Sequence, residues 1–129
     1  YLSSKGVQVE DFGVYDQNPV LYPDIAYKVA KSIAEGKHKK GILICGTGIG
    51  MAITANKVPG IRAAVCHDPY STERSRKSND VQIMALGARV IGEELAKLLL
   101  SIWLESEFQG GASFEKVNRI HYYEKQSIE

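Results

Sequence analysis

The stretch GILICGTGIGMAITANK, from Gly41 to Lys57, combines three local patterns that decide the fold. The continuous apolar run Gly41–Cys45 predicts a strand that is covered on both faces. Three glycines follow within five residues, and a helical pattern then occupies Gly50–Lys57. A strand, a tight glycine turn and a helix in this order are typical of a parallel α/β unit.

The chain on both sides of this stretch continues the alternation of helices and strands. Apolar spacing predicts a helix over Asp24–Gly36, and further covered strands over Ile61–Cys66 and Val81–Leu86. Two more helices are expected to begin at Asp68-Pro69 and after Gly92. We therefore expect an α/β fold with a Rossmann-like, doubly wound parallel sheet.

Both ends of the chain carry additional expectations. The start, YLSSKG, has no initiating methionine and resembles the last turn of a helix that stops at Gly6, so we expect residues 1–129 to be one domain truncated at its N-terminus, with a first strand missing. The alternation around Val7 and Val9 predicts a short strand. After Gly110-Gly111 an amphipathic helix is expected, which has no obvious place in the sheet and suits packing on a partner subunit.

Composition narrows the class of partner. A chain of 129 residues that is 44% hydrophobic and 24% charged fits one globular domain. The formal net charge of +1 and the mixed signs favour a small molecule over nucleic acid. No apolar run approaches membrane-span length, and two cysteines form no secreted disulfide framework. These features favour a cytoplasmic protein without membrane partners.

Cys45 is the first candidate for chemistry, because ligands of open parallel sheets collect beyond the carboxyl ends of the strands. The glycines that follow permit a tight turn and leave amide groups open to an anion, and the start of the helix favours thiolate over thiol. The residue types alone allow another interpretation, in which Cys45 is a small buried hydrophobe and the glycines only form a turn. The stretch lacks a P-loop lysine, dinucleotide-binding glycine spacing and a CxxC pair.

A longer series of motifs identifies a family. CGTGIGMAITANKVPGIRAAVCHDPYS, followed by SND, LGARVIG and EFQGG, closely resembles the ribose-5-phosphate isomerase type B family, which includes the galactose-6-phosphate isomerase subunits. The resemblance extends from KGVQVEDFG onward. It implies an enzyme that interconverts an aldose phosphate and a ketose phosphate through a cis-enediolate, without metal or cofactor. Ribose 5-phosphate and ribulose 5-phosphate are the default pair.

The resemblance also implies roles for individual residues. Cys45 matches the catalytic base, because Met51 stands where another branch of the family has a glutamate, and Thr47 matches a hydroxyl near the sugar. Tyr22 is as consistent with a half-buried loop aromatic as with sugar contact. The substrate-binding residues implied by the resemblance are Tyr22, Gly46, Gly48, Ile49, Gly50, Asn79, Arg89 and Lys116.

Several positions depart from the family pattern. The N-terminal strand and its aspartate-histidine pair are absent, and Ala112 and Lys116 replace two phosphate-binding arginines. Ser78 stands where many members have a histidine assigned to ring opening. Because a tetrose phosphorylated on its terminal oxygen cannot close a furanose ring, Ser78 favours an alternative substrate, a tetrulose 4-phosphate.

Two other functions are less consistent with the sequence. A non-catalytic sugar-phosphate binder is a more remote alternative, and a thiol redox protein is disfavoured because no resolving cysteine lies near Cys45. Cys66 is expected in the core, and His67 in a loop rather than in a metal site.

The resemblance implies a homodimer or dimer of dimers, in which the polar helix that carries Ser78 and Asn79 faces the cysteine loop of the partner.

Overall fold

The computed structural model describes residues 1–13 and 21–128. A 3-10 turn at Ser3–Lys5 ends at Gly6, whose φ of 78° is left-handed. The expected alternation of helices and strands is confirmed. In chain order the elements are α1 (Tyr22–Ala34), β1 (Gly41–Cys45), α2 (Ile49–Ala55), β2 (Ala63–Val65), α3 (Pro69–Lys77), β3 (Ile83–Gly87), α4 (Glu93–Glu105) and α5 (Ala112–Ile128).

In the described part of the chain the sheet has three parallel strands in the order β1-β3-β2. Cys45 pairs in register with Gly87, and Ala63 pairs with Ile83. The carboxyl ends of β1 and β3 therefore lie side by side. This crossover order and the helices on both faces confirm the Rossmann-like fold.

β3 is buried along its whole length and divides the core in two. Ile83 and Ala85 belong to a cluster with residues of α1, α2 and β1, whereas Met84 and Leu86 pack with Leu99 and other residues of α4. Alternate side chains of a strand point to opposite faces, so β3 is covered on both sides, as its apolar run predicts.

The prediction of a short strand around Val7 and Val9 is wrong. Residues 7–10 form no strand in the structure. A strand is stabilised by hydrogen bonds to a neighbouring strand. Residues 7–13 and 40–44 both line one cavity of about 580 Å³, but they do not pair with each other. Alternation of apolar residues was therefore insufficient to specify a strand there.

Helix α5 follows Gly110 and Gly111, which have φ angles of 68° and 60°. It is attached to the β2 edge of its own chain: the Arg62 guanidinium donates to His121 Nε2 at 2.6 Å, and the Gly60 N–H donates to the Glu124 carboxylate at 3.1 Å. Its aromatic residues Phe114, Tyr122 and Tyr123 stay exposed. No helix within residues 1–13 and 21–128 is long and apolar enough to span a membrane.

Candidate active site

Cys45 ends β1, and the glycine turn folds back onto its sulfur. The Gly48 N–H donates to Cys45 Sγ at 3.1 Å. Gly48 has a φ of 80°, and a Cβ there would lie 3.1 Å from backbone atoms of Leu86. Glycine is therefore required for this turn. The backbone turn thus brings an N–H donor directly to the sulfur of Cys45.

The two cysteines have different surroundings. Cys45 is partly exposed, which does not fit the interpretation of a buried hydrophobe. Cys66 is only 1% exposed, and burial raises the pKa of its thiol. Cys66 therefore belongs to the core, as expected, and Cys45 is the accessible thiol.

The turn after β3 closes against the loop that follows Cys45. The Ala88 N–H donates to the Cys45 carbonyl at 2.7 Å, and the Arg89 N–H donates to the Gly46 carbonyl at 3.1 Å. Gly87 packs so closely that a Cβ on it would lie 2.8 Å from Thr47 backbone atoms. The two turns are thus fixed to each other by backbone contacts.

The side chain of Arg89 lies beside this loop. Its Cδ is 3.7 Å from the position that a Cβ on Gly46 would take, and the residue is exposed. No carboxylate within residues 1–13 and 21–128 forms an ion pair with it. Its charge is therefore available to an anion bound near Cys45.

Tyr22 and Thr47 also reach the cysteine loop. Tyr22 begins α1, and its ring packs on the first turn of α2, where a Cβ on Gly50 would lie 2.6 Å from ring carbons. Thr47 is exposed, and its Oγ1 accepts from the Ile49 N–H at 3.3 Å. The structure therefore brings together most of the residues singled out in the sequence: Tyr22, Cys45, Gly46, Thr47, Gly48, Ile49, Gly50 and Arg89.

Asn79 and Lys116 lie elsewhere in the same chain. Asn79 is exposed after α3 and lines a cavity of about 970 Å³ with Tyr70 and Arg74. No residue of the loop 45–50 lines that cavity. Lys116 is exposed on α5. Asn79 thus lines a cavity that the cysteine loop does not line, and Lys116 lies on the helix that is attached to the β2 edge.

Ser78, the position of the family's ring-opening histidine by resemblance, has a defined partner. Arg74 Nε donates to Ser78 Oγ at 2.9 Å, and Arg74 Nη2 donates to Gln109 Oε1 at 3.2 Å. The serine thus holds a guanidinium at the end of α3, beside Asn79.

Comparison with known proteins identifies the family. Residues 1–120 match the model of a family described as Ribose/Galactose Isomerase. The chain belongs to this family. A protein of Pectobacterium atrosepticum named D-erythrulose-4-phosphate isomerase is 60% identical, over 98% of this chain and 84% of its own length. A Listeria innocua protein named Ribose-5-P isomerase B is 57% identical, over 91% of this chain and 79% of its own.

A solved structure shows the same fold at high similarity. The ribose-5-phosphate isomerase B structure of Clostridium thermocellum has a TM-score of 0.94 and 48% identity, and the match covers 98% of this chain and 85% of that one. The family and the fold expected from the motifs are therefore confirmed, and the chain is an isomerase of the Ribose/Galactose Isomerase family.

The structure adds one residue to the site that the sequence did not indicate. His67, expected only as a loop residue, accepts a hydrogen bond through Nε2 from the Gly87 N–H at 2.8 Å. The strand register could have indicated this contact. Ala63 pairs with Ile83, and His67 and Gly87 have the same separation in sequence, so they lie opposite each other when the register continues. Within the described ranges, no cluster of three or more histidine, cysteine or acidic residues is arranged to hold a metal.

Proposed function

We propose that this isomerase interconverts an aldose phosphate and a ketose phosphate, with ribose 5-phosphate and ribulose 5-phosphate as the default pair. The proposal rests on two neighbouring features. The Cys45 thiol accepts a backbone N–H, and the Arg89 side chain lies beside the same loop without an ion-pair partner among residues 1–13 and 21–128. The first suits proton transfer and the second suits a phosphate. The names of the two relatives reported above, both phosphosugar isomerases, support it.

Proton transfer in this proposal begins with the thiolate of Cys45. Cys45 Sγ removes the proton from the carbon next to the carbonyl, and the electron pair moves to the carbonyl oxygen to give a cis-enediolate. The Cys45 thiol then gives a proton to the adjacent carbon, and the hydroxyl proton of the enediolate passes from one oxygen to the other. The carbonyl thus changes place, and no electrons enter or leave the substrate. Backbone amides from Gly46 to Gly50 stabilise the oxyanion, whose charge develops only in the transition state. Thr47 and Tyr22 contact the sugar.

A homodimer, or a multiple of one, completes the site in this proposal. Asn79 lines a cavity that no residue of the loop 45–50 lines, and Lys116 is exposed on α5, so in this proposal both serve the site of a second copy. Helix α3 has a polar surface that does not suit an apolar core, and Asn79, just after the helix, is exposed. Exposed aromatic residues on α5, such as Phe114 and Tyr123, supply apolar area for the same interface.

Mixing two inactive variants tests the shared site. Cys45→Ala and Asn79→Ala subunits are unfolded and refolded together, and each mixed dimer then holds one intact site. Random pairing restores about a quarter of the original turnover if the site is shared. A mixture as inactive as its parents, shown by mass spectrometry to contain mixed dimers, contradicts the shared site.

A four-carbon substrate is the second candidate, and a specific observation favours it. Ser78 has no ring nitrogen that could open a furanose, and its hydroxyl already accepts a hydrogen bond from Arg74. The relative that is 60% identical carries the name of a four-carbon phosphate isomerase. Side-by-side kcat/KM for D-erythrulose 4-phosphate and ribose 5-phosphate decides between the two.

Proton exchange separates catalysis from simple binding. In heavy water the protein is expected to introduce solvent deuterium at the carbon next to the carbonyl of its substrate, because the thiol exchanges protons with solvent. Binding of either sugar phosphate without exchange or isomerisation would identify a non-catalytic binder instead. A cytoplasmic location is part of the proposal, supported by two free thiols, and cell fractionation tests it.

A further inference from the structure

The loop that carries Arg89 has a third attachment besides its two bonds to the cysteine loop. Cys66 N–H still donates to the Ala85 carbonyl at 3.1 Å, so the ladder between β2 and β3 continues one residue past β2. The next N–H of β3 in this direction belongs to Gly87, and it donates to the imidazole of His67. A side chain thus replaces the strand carbonyl that would accept in a regular parallel ladder.

This contact fixes the role of the His67 ring nitrogen. A backbone N–H can only donate, so Nε2 is the acceptor in this hydrogen bond. Gly87 is buried, so its N–H has no solvent to replace the imidazole. The hydrogen bond is therefore one that the loop cannot lose without rearranging.

Gly87 transmits this restraint in two directions. Towards β1 it packs on the Thr47 backbone, and Cys45 is its partner in register. Towards the next residues it leads to the Ala88 and Arg89 amides, which donate to the Cys45 and Gly46 carbonyls. An altered position of Gly87 consequently moves both the thiol loop and the arginine.

We propose that His67 is a positioning residue for the isomerase site, an inference that rests on the proposed function. Its imidazole accepts the Gly87 N–H and holds Gly87 in place, so that Cys45 and Arg89 keep the separation that a sugar phosphate requires. His67 touches neither the reacting carbon nor the phosphate. It acts through the backbone of the turn after β3.

Three variants test this role. His67→Leu keeps the approximate volume and removes the acceptor, whereas His67→Gln keeps an acceptor oxygen and cannot exchange protons as imidazole does. His38→Leu is the matched control, because His38 is also partly buried and bonded, to Ser32 and Glu10, away from the cysteine loop. Each variant is assayed for kcat and KM with both sugar phosphates, and for the dissociation constant of inorganic phosphate.

His67→Leu is expected to lower kcat/KM by about tenfold to a hundredfold, because small displacements of reacting groups have effects of this size. It should also weaken binding of phosphate, since Arg89 moves with the turn. His67→Gln should recover most of both losses. His38→Leu should change neither, and all assays are run well below the measured Tm of each variant.

Two outcomes overturn the positioning role. If His67→Leu lowers Tm but keeps wild-type kcat/KM and phosphate affinity, the hydrogen bond serves stability alone. If folded His67→Gln is as inactive as His67→Leu, the imidazole acts through its proton rather than by holding Gly87.

Failure of the proposed function remains distinguishable. If the wild-type protein isomerises no sugar phosphate, the positioning role of His67 is still tested by two measurements: the affinity for phosphate, and the hydrogen exchange of the Gly87 amide by NMR. Weaker phosphate binding and faster Gly87 exchange in His67→Leu, both reversed in His67→Gln, support positioning, and unchanged values refute it.

Discussion

The loop after β1 and the carboxyl end of α3 both carry proposed site residues, but they are built differently. The loop at Cys45 is held by backbone hydrogen bonds and by glycines that pack directly on neighbouring backbone. At the end of α3, side-chain contacts are added to the backbone bonds of the helix: Arg74 bonds Ser78 and Gln109, and Arg76 bonds Val81 and Asp80. In the proposed function, proton transfer therefore belongs to the loop built on backbone contacts, and substrate selection to the region where side chains add contacts.

This difference predicts which substitutions each region tolerates. Around Cys45, a methyl group added at Gly48 or Gly87 would lie 3.1 Å from the Leu86 backbone or 2.8 Å from the Thr47 backbone, and backbone atoms cannot turn aside as a side chain can. At Ser78 a longer side chain displaces a flexible guanidinium that is one-third exposed. We therefore expect the first region to respond to substitution by losing turnover or stability, and the second by changing substrate preference.

Cys45→Ala should produce the largest effect. Removal of a base lowers turnover by about a hundredfold to ten-thousandfold, with a smaller change in substrate affinity, because the base acts mainly in the transition state. Steady-state kinetics measure this split. Cys66→Ala is the matched control: it creates a small cavity in the core and should lower Tm while it leaves turnover near wild type. Near-normal turnover of Cys45→Ala would refute its role as base.

Arg89→Ala should produce the next largest effect. A hydrogen bond to a charged group contributes about 1.5–3 kcal/mol, so kcat/KM should fall by about tenfold to a hundredfold. The four-carbon and five-carbon substrates should lose equally, because both present the same phosphate. Arg89→Lys keeps the charge without the bidentate fork and should give an intermediate loss. A loss confined to one substrate would show that Arg89 contacts the sugar rather than the phosphate.

Gly87→Ala tests the rigidity of the backbone region. Its new methyl group would lie 2.8 Å from the Thr47 backbone, so the free energy of unfolding should fall by about 1–3 kcal/mol. Urea denaturation measures this change. Gly92→Ala is the matched control, because no atom lies within 4 Å of its added Cβ and its φ is not left-handed. Equal stability of the two variants would show that the turns can separate without cost.

The contrast between the regions also explains what the sequence could predict. Glycine spacing after an apolar run specifies a strand, a turn and a helix, so the place of Cys45 followed from local pattern alone. The strand expected around Val7 failed because pairing depends on a neighbour that local alternation does not reveal. His67 was missed for a related reason: its contact with Gly87 depends on the register of β2 and β3, which is set by the whole sheet.

Ser78→His should have the smallest effect and the most selective one. The serine now accepts from Arg74, so a histidine there displaces the guanidinium and places an imidazole beside Asn79. General acid assistance is worth about a hundredfold when well placed, and we expect about tenfold for an introduced group, in kcat for ribose 5-phosphate alone. A four-carbon phosphate has no ring to open and should be nearly unchanged. Ser78→Ala is the control, because it releases Arg74 without adding an acid, and the ratio of the two substrates should stay at its wild-type value. If Ser78→Ala shifts the ratio as Ser78→His does, Arg74 is the specificity determinant. If both substrates gain equally from Ser78→His, ring opening does not limit the pentose, and ribose 5-phosphate stands as the preferred substrate.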